Sequence, residues 1–207
     1  DFLPLARIGL PAILTNIATP VGNGYMTATM APYGDATVAA WTIISRLVPV
    51  AFGGLFALSG AVGPGVGQNF GARLHDRVRG ALNDSLKIST LYVIAVSAIL
   101  FVAQHGIVAA FGVTGEAADL VLFFCRYLAI TFIFAGGLFV SNAAFNNLNY
   151  PVLSTVLNWG RATLGTVPFA IAGAWAWGNV GALAGFFIGG IPFGILAMAL
   201  AYRIISR

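Results

Sequence analysis

The hydrophobic positions of this chain fall into long stretches that contain no Asp, Glu, Lys or Arg. These stretches cover residues 8–34, 47–72, 88–115, 127–160 and 162–202. A helix of about 20 residues crosses the ~30 Å hydrocarbon core of a bilayer, so each stretch is long enough to do so. The last stretch is interrupted at Trp177, Gly178 and Asn179, and we expect it to supply two crossings.

This pattern predicts an all-α integral membrane protein, with six transmembrane helices in a single bundle. The predicted helices are 5–31, 37–69, 82–110, 118–146, 151–175 and 180–204. Spanning strands are disfavoured, because they are about 10 residues long and alternate in polarity, whereas these stretches do not alternate.

The composition identifies the bilayer as the solvent of this chain. Of its 207 residues, 59% are hydrophobic and 8% are charged, and the mean hydropathy is +0.91. Soluble domains carry about 25% charged residues, so too little polar material is present to cover even one globule. A single cysteine, Cys125, excludes a disulfide framework and thiolate metal sites.

The charged residues between the helices predict the orientation of the bundle. With six crossings, one side carries seven cations, namely Arg7, Arg73, Arg77, Arg79, Lys87, Arg203 and Arg207. The short loops of the other side carry Asp35, Glu116 and Asp119 and no Lys or Arg. The positive-inside rule therefore places both termini in the cytoplasm. Topology thus explains the net charge of +4, and the basic face that nucleic-acid binding requires is lacking.

Three arginines fall inside the predicted helices. Arg126 lies eight residues into its helix, so it either snorkels to the outer surface or stays at depth. Arg46 and Arg161 lie about ten residues in, which is ~15 Å at 1.5 Å per residue. A charge at that depth normally faces a water-filled cavity or a partner. No carboxylate of this chain lies at matching depth, so either a cavity hydrates these two arginines or their partners lie on another polypeptide segment.

Glycines recur every four residues near the end of the second predicted helix. Gly63, Gly67 and Gly71 share one face, which allows close helix contact, and Gln68 and Asn69 add polar groups. We expect a packing seam at a gate, with simple packing as an equal alternative. A phosphate-binding loop is disfavoured, because no strand precedes the segment and no Gly-Lys-Ser/Thr follows it.

Two further patterns concern helix packing and bending. Gly181, Gly185 and Gly189 repeat the four-residue spacing in the sixth predicted helix, and close packing explains them. Prolines interrupt the hydrogen-bond ladder of the first two helices at Pro11, Pro20, Pro49 and Pro64. These prolines predict helices that bend in function, with static kinks as the alternative.

Polar side chains inside the helices concentrate in the first and fourth. The spacing of Asn16, Thr19, Asn23 and Thr27 places them in one stripe, and Asn142 and Asn146 likewise share a face. We expect an aqueous cavity that contacts substrate, lined by Asn16, Thr19, Asn23, Tyr25, Asn142 and Asn146 together with Arg46 and Arg161. The alternative is that neutral amides join helices by hydrogen bonds.

Catalysis is disfavoured by the residues that are present. The two histidines, His75 and His105, lie in the cytoplasmic loop and near the opposite end of the third helix, without paired carboxylates nearby. No nucleophile with a base and an orienting acid can be assembled inside the membrane. We therefore expect neither an enzyme nor a cofactor or metal site.

Three runs of residues resemble one transporter family. They are Arg7-Ile8-Gly9-Leu10-Pro11; Val66-Gly67-Gln68-Asn69-Phe70-Gly71-Ala72-Arg73 followed by Asp76-Arg77; and Asn142-Ala143-Ala144-Phe145-Asn146-Asn147-Leu148-Asn149-Tyr150-Pro151. Their order and spacing are similar to the C-terminal six-helix lobe of bacterial multidrug and toxin extrusion (MATE) transporters. The resemblance implies twelve helices in two lobes around a central cavity, in the bacterial inner membrane. It also implies export of cationic or amphipathic drugs and toxins in exchange for Na+ or H+, by alternating access.

The chain departs from that resemblance in two respects. It has the helices of one lobe, so an N-terminal lobe of the same transporter, absent from this sequence, is its expected partner. Some Na+-linked members carry an acidic residue in the first helix of this lobe, where alignment on the first run places Thr19, which cannot ionise. The carboxylate for the coupling ion is therefore expected in the N-terminal lobe, where it would also pair with Arg46 and Arg161. An intact protein without Asp or Glu inside the membrane in that lobe would contradict this hypothesis.

Two other functions stay open. A lipid-linked oligosaccharide flippase of the same superfamily would have a more cationic cavity to hold pyrophosphate, and Arg46 and Arg161 favour it. A membrane anchor or packing subunit without transport is the other, although an anchor has no need of Asn at the depth of the midplane.

Overall fold

The structure, a computed structural model, describes residues 3–206, with side chains described from residue 17 onward. Every element of that part is helical. The α-helices are α1 (Leu3–Met30), α2 (Asp35–Ala51), α3 (Gly53–Gly71), α4 (His75–Phe111), α5 (Gly115–Phe123), α6 (Phe132–Asn147), α7 (Pro151–Gly160), α8 (Val167–Ile188) and α9 (Ile191–Ile205). Short 3-10 or π-helical segments join some of them, at Ala31–Tyr33, Phe124–Leu128, Ala129–Thr131 and Arg161–Gly165.

The helices combine into segments that can cross a membrane. Within residues 3–206, three segments are long and apolar enough to cross a membrane: His75–Phe111, Gly115–Asn147 and Pro151–Ile205. Together α2 and α3 form a fourth candidate span, which is bent by 40°. A straight helix of 55 residues, the length of Pro151–Ile205, would extend about 80 Å, which is far more than one bilayer. This segment instead folds back on itself at Trp177 and Gly178, whose backbone angles are not helical. That turn falls at the break expected from the sequence.

Apart from the interruptions near the middle of the spans, the second and third expected helices differ in their bounds from the observed ones. The second expected helix, 37–69, is two helices, because the chain breaks at Phe52 between α2 and α3. Pro49 lies one turn before this break and has no N–H to continue the ladder. Pro64 lies inside α3 without a break, and α1 runs through Pro11 and Pro20 as one helix. The third expected helix, 82–110, begins seven residues earlier, at His75.

Interruptions of the helices occur near the middle of the spans. Phe52 is 17 residues from Asp35 and 19 from Gly71, and Thr131 is 16 residues from both Gly115 and Asn147. The π-helical turn Arg161–Gly165 and the break at Gly189 and Gly190 lie in the inner parts of the last two crossings. Irregular backbone at membrane depth is tolerated where it is buried in protein or lines a cavity, so these positions indicate where a cavity can form.

Close contact between glycines holds the last two crossings together. The pairs Gly165 with Gly189, Phe169 with Gly185, and Gly173 with Gly181 bring the backbone of one segment against the Cα of the other. These pairs are symmetric about the turn at Trp177 and Gly178, so the two segments run antiparallel. A Cβ on Gly173, Gly181, Gly185 or Gly189 would strike a backbone carbonyl group, which cannot rotate away. The packing expected for Gly181, Gly185 and Gly189 is therefore present.

The two ends of the bundle differ in charge. At one end the side-chain amide of Asn179 donates hydrogen bonds to Glu116 and to the Thr37 hydroxyl, which joins the turn at Gly178 to the starts of α5 and α2. At the other end the Tyr202 hydroxyl donates to Asn83, which brings the end of α9 against the start of α4, where Arg77 and Arg79 lie. The acidic loops and the cationic segments thus lie at opposite ends of the bundle. Which end faces the cytoplasm stays a prediction of the positive-inside rule.

The glycine contacts lead to a prediction about stability. Substitution Gly185→Ala places a methyl group against the Phe169 carbonyl oxygen. We expect the stability of the detergent-solubilised protein to fall by about 1–3 kcal/mol, the usual cost of overpacking. The measurement is the midpoint of thermal unfolding.

Gly106→Ala is the matched control, because Gly106 is an exposed helical glycine of α4 with no atom within 4 Å of the added Cβ. Alanine favours a helix over glycine by about 1 kcal/mol, so this variant should be as stable as the parent or slightly more stable. Equal midpoints for the two variants would show that the close approach of the two crossings is not as described.

Candidate functional site

A cavity of about 180 Å³ lies where the interrupted helices meet. Its lining includes Phe52, Thr131, Arg161 and Gly190, each of which lies at an interruption of a helix. The complete lining is Thr19, Asn23, Trp41, Ser45, Val48, Pro49, Phe52, Phe56, Thr131, Phe132, Ala135, Phe139, Arg161, Phe186, Phe187 and Gly190. The cavity is therefore built by residues of α1, α2, α3, α6 and α8 together with the segments that join them.

Aromatic rings form the largest part of the cavity wall. Phe52 and Phe132 are stacked in parallel with ring centroids 4.1 Å apart. Phe132 continues to Phe187 at 5.8 Å, and Phe187 to Phe186 at 5.1 Å. Trp41 contacts Phe186 edge to face at 4.9 Å. Contacts between aromatic rings add to the stability that burial gives. Because the pairs share Phe132, Phe186 and Phe187, these rings form one continuous cluster.

A hydrogen bond to the polar stripe of α1 orients the Trp41 side chain. The indole Nε1 of Trp41 donates to the Thr27 hydroxyl at 3.1 Å, and that hydroxyl donates to the carbonyl oxygen of Asn23 at 3.0 Å. Thr27 thus satisfies the one polar atom of the Trp41 side chain, as a buried indole requires. In this way part of the stripe joins helices and fixes a ring of the cavity wall.

Arg161 supplies the charged side chain of the cavity lining. Its Nη2 donates a long hydrogen bond of 3.4 Å to the Thr19 hydroxyl, and its aliphatic stem passes Gly190. The buried Nε has no hydrogen-bond partner within the described part of the chain. Asn23, Ser45 and Thr131 add neutral polar groups to the lining.

The residues that the sequence assigned to a substrate cavity are divided by the structure. Thr19, Asn23 and Arg161 line the cavity described above. The side chain of Asn16 lies outside the described residues. The cavity lining does not include the others, Tyr25, Arg46, Asn142 and Asn146.

Those four residues have other surroundings. Asn142 is buried, and its backbone oxygen accepts a hydrogen bond from the Ser154 hydroxyl at 3.4 Å, which links α6 to α7. Asn146 and Arg46 are exposed on this bundle, and Tyr25 is half-buried. Their contact with substrate stays a prediction.

The glycine motif of α3 surrounds one polar side chain. Gly63 and Gly67 face Asn147 at the end of α6, and the Asn147 amide donates to the Ala143 carbonyl oxygen at 2.8 Å. In contrast, a Cβ on Gly71 would meet no atom within 4 Å. Asn69 donates to the backbone oxygen of Gly65 at 2.7 Å, and Gln68 is exposed. The first two glycines therefore form a seam with α6, whereas a role in gating stays a prediction.

Two features of the structure were not predicted from the sequence. The first is the phenylalanine wall, although Phe186 and Phe187 are adjacent in sequence. The second is the partner of Arg126, whose Nε donates to the Gln104 side-chain oxygen of α4 at 2.6 Å. An amide side chain inside a long apolar helix needs a hydrogen-bond partner in a membrane. The position of Gln104 in α4, where it is buried, was therefore the sign that it pairs with another polar residue.

The seam between α3 and α6 leads to a second prediction. A Cβ at position 63 would lie 2.7 Å from Asn147 Nδ2, so Gly63→Ala forces the Asn147 side chain to move. We expect a loss of about 1–3 kcal/mol in stability from overpacking. The measurement is the thermal unfolding midpoint of Gly63→Ala in the parent and in an Asn147→Ala background.

Because the clash is with the Asn147 side chain, the cost of Gly63→Ala should shrink when that side chain is removed, as in any double-mutant cycle of contacting residues. Gly71→Ala is the control, because its added methyl group contacts nothing. The same cost for Gly63→Ala in both backgrounds would contradict the seam.

Residues 3–206 contain no group of three or more His, Cys, Asp or Glu side chains that could hold a metal ion. The described part of the cavity lining therefore offers substrate contact through aromatic rings, neutral polar groups and one guanidinium.

Two proteins of similar sequence span most of this chain. An uncharacterized 21 kDa protein of Pseudomonas savastanoi is 34% identical over 196 residues, which cover 91% of this chain and 62% of that protein. A protein of Shewanella oneidensis named FAD transporter is 28% identical over 200 residues, covering 97% of this chain and 44% of that protein. The chain thus spans about half to three-fifths of the length of these relatives.

Solved structures of transporters share the fold. The MATE transporter VcmN of Vibrio cholerae, in its bent form, superposes with a TM-score of 0.91 at 20% identity, over 98% of this chain and 46% of that one. A MOP superfamily transporter from Pyrococcus furiosus gives a TM-score of 0.83 at 20% identity, over 97% of this chain and 46% of that one. At this identity the likeness shows the fold, which is that of one half of such a transporter.

The match of residues 11–171 to the MatE family covers most of the helices that build the cavity. Together with the shared fold, it shows that this chain belongs to the MatE family, the multidrug and toxin extrusion proteins, whose members are membrane transporters and not enzymes.

Proposed function

We propose that this chain is one lobe of a secondary active transporter that exports amphipathic organic compounds across the bacterial inner membrane in exchange for Na+ or H+. The observation that carries the proposal is the aromatic cavity at mid-span, where four helix interruptions meet. Apolar walls with a few polar groups are typical of sites for small organic molecules.

The size of the cavity supports a second lobe. Sites for drug-sized ligands enclose about 300–1,000 Å³, whereas the cavity of this bundle holds about 180 Å³. In transporters built from two repeats, substrate binds between the repeats near the bilayer midplane. An N-terminal lobe facing this cavity would complete the site, in agreement with a chain that spans about half of the transporters whose fold it shares.

The coupling ion requires a carboxylate, and no Asp or Glu is among the described lining residues. Thr19, where the family resemblance places an acidic residue in some Na+-linked members, cannot ionise. We therefore place the coupling carboxylate in the N-terminal lobe. Its protonation or Na+ binding would shift the population of inward-open and outward-open states by its difference in affinity for the two states. Both termini of this lobe would face the cytoplasm.

The charge of the cavity bears on the substrate. An organic cation would meet no acidic side chain among the described lining residues, whereas Arg161 attracts an anion. The Shewanella relative is named for FAD, an aromatic compound with two phosphates, so an aromatic anion is a second candidate substrate. A lipid-linked pyrophosphate flippase rests on Arg161 alone, since Arg46 is not part of the cavity lining. A subunit that only packs against a partner would need no cavity.

The third prediction concerns the aromatic wall. Phe56 lines the cavity and is 56% exposed, and Phe101 of α4 is 53% exposed but is not part of the lining. The intact protein should export a fluorescent amphipathic dye from proteoliposomes when an ion gradient is applied. We expect Phe56→Ala to lower the export rate several-fold, because a ring contact contributes about 0.5–1.5 kcal/mol beyond its buried area.

Phe101→Ala removes a ring of similar exposure and should leave the export rate unchanged. Collapse of both the Na+ and H+ gradients should stop export in the parent. Export that persists without a gradient would contradict antiport, and an equal effect of the two substitutions would contradict a role for this cavity in substrate contact.

A further inference from the structure

Arg161 has no acidic partner among the side chains that the structure describes. It begins the π-helical turn between α7 and α8, and the Thr166 hydroxyl donates to the Arg161 backbone oxygen at 3.0 Å across that turn. Among residues 3–206 the structure shows one ion pair, between the exposed side chains of Lys87 and Asp84 in α4, and it does not involve Arg161. The guanidinium of Arg161 is therefore not neutralised within the described part of the bundle.

The hydrogen bonds of Arg161 are also incomplete. Its Nη2 contacts the Thr19 hydroxyl at a long 3.4 Å, and its buried Nε donates to no described atom. A buried donor without a partner is costly, and a charge at membrane depth is more so. Such a group persists in a membrane protein when it serves a pathway or a ligand.

The surroundings of Arg161 define what could satisfy it. The lining of the same cavity includes Arg161, Thr19 and Asn23 together with the rings of Phe132, Phe186 and Phe187. Planar guanidinium groups bind carboxylate and phosphate oxygens through paired hydrogen bonds. Aromatic faces bind flat rings by offset stacking. The complementary ligand has an oxyanion and an aromatic ring.

We propose that this lobe selects aromatic compounds that carry an oxyanion, with Arg161 as the anion receptor and the phenylalanine wall as the surface for the ring. The inference rests on the proposed function in one respect, since it assumes that the cavity lies on the transport path. It deepens that function by selecting the aromatic anion over the organic cation, and by assigning the oxyanion to Arg161 and the ring to the phenylalanine wall.

A matched pair of fluorescent probes tests the charge. Riboflavin and riboflavin 5′-phosphate share one ring system and differ by a phosphate. Binding to the intact, detergent-solubilised protein is followed by the quenching of flavin fluorescence. The parent protein should bind the phosphate ester more tightly than riboflavin, by about 10- to 100-fold, because hydrogen bonds to charged groups contribute that range.

Three variants separate the roles of the arginine. Arg161→Gln should remove the preference for the phosphate ester and leave riboflavin binding within about twofold. Arg161→Lys should retain part of the preference, because it keeps the charge and loses the planar fork. Arg203→Gln, at an exposed arginine near the end of α9, is the control and should change nothing.

Three results would overturn the inference. The first is equal binding of the two probes by the parent. The second is equal loss of both probes in Arg161→Gln, which would mean that Arg161 holds the fold or pairs with a carboxylate of the second lobe. The third is that inorganic phosphate displaces the ester and binds as tightly as the ester does. The site would then bind a free anion, and the aromatic rings would contribute nothing to affinity.

Export is scored separately from binding. In one outcome the protein binds the ester through Arg161 and yet exports neither the ester nor any dye when a gradient is applied. That result would support the ligand site and contradict the proposed function. Gradient-driven export of a dye by a protein that does not distinguish the two flavins would support the proposed function and overturn the inference.

Discussion

Backbone N–H and C=O groups have no water partner inside a bilayer, and this constraint governs the whole bundle. A helix satisfies these groups within its own segment, and a break in the helix is tolerated only where protein or a water-filled cavity receives the freed groups. Here the breaks at Phe52 and Gly190 and the turns at Thr131 and Arg161 all contribute to one cavity. The position of the cavity is thus a consequence of where the helices depart from ideal geometry.

Close backbone contact provides the rigidity around that cavity. Where the last two crossings meet, the glycine contacts leave no room for a side chain. The two segments on either side of Gly178 therefore pack backbone against backbone. Phe186 and Phe187 lie on this hairpin, where Phe186 contacts Trp41 and Phe187 contacts Phe132 within the cavity wall. In a membrane, where lipid is as apolar as the helices, such van der Waals contact takes the place of the hydrophobic effect in joining helices. The aromatic wall is positioned by glycines that do not line it.

Polar residues of the spans turned out to serve two different purposes. Thr19, Asn23 and Arg161 line the cavity, whereas the Thr27 hydroxyl accepts a hydrogen bond from the Trp41 indole, and Asn142 of α6 is buried outside that lining. Spacing along a helix shows which residues share a face, but it does not show which neighbour covers that face. Gln104 and Arg126 illustrate the same point, because 22 residues separate the two partners of their hydrogen bond.

The sequence alone determined that this is a membrane protein. Runs of 41 residues (162–202) and 26 residues (47–72) without a charged side chain are long enough to cross a bilayer. It also determined the turn at Gly178 and the glycine faces, since both depend on local spacing. Only the tertiary structure decided that Arg161 lacks an acidic partner in the described part of the chain and lines the same cavity as phenylalanines of α6 and α8. Burial and partnership belong to side chains that are far apart in sequence, and packing alone brings them together.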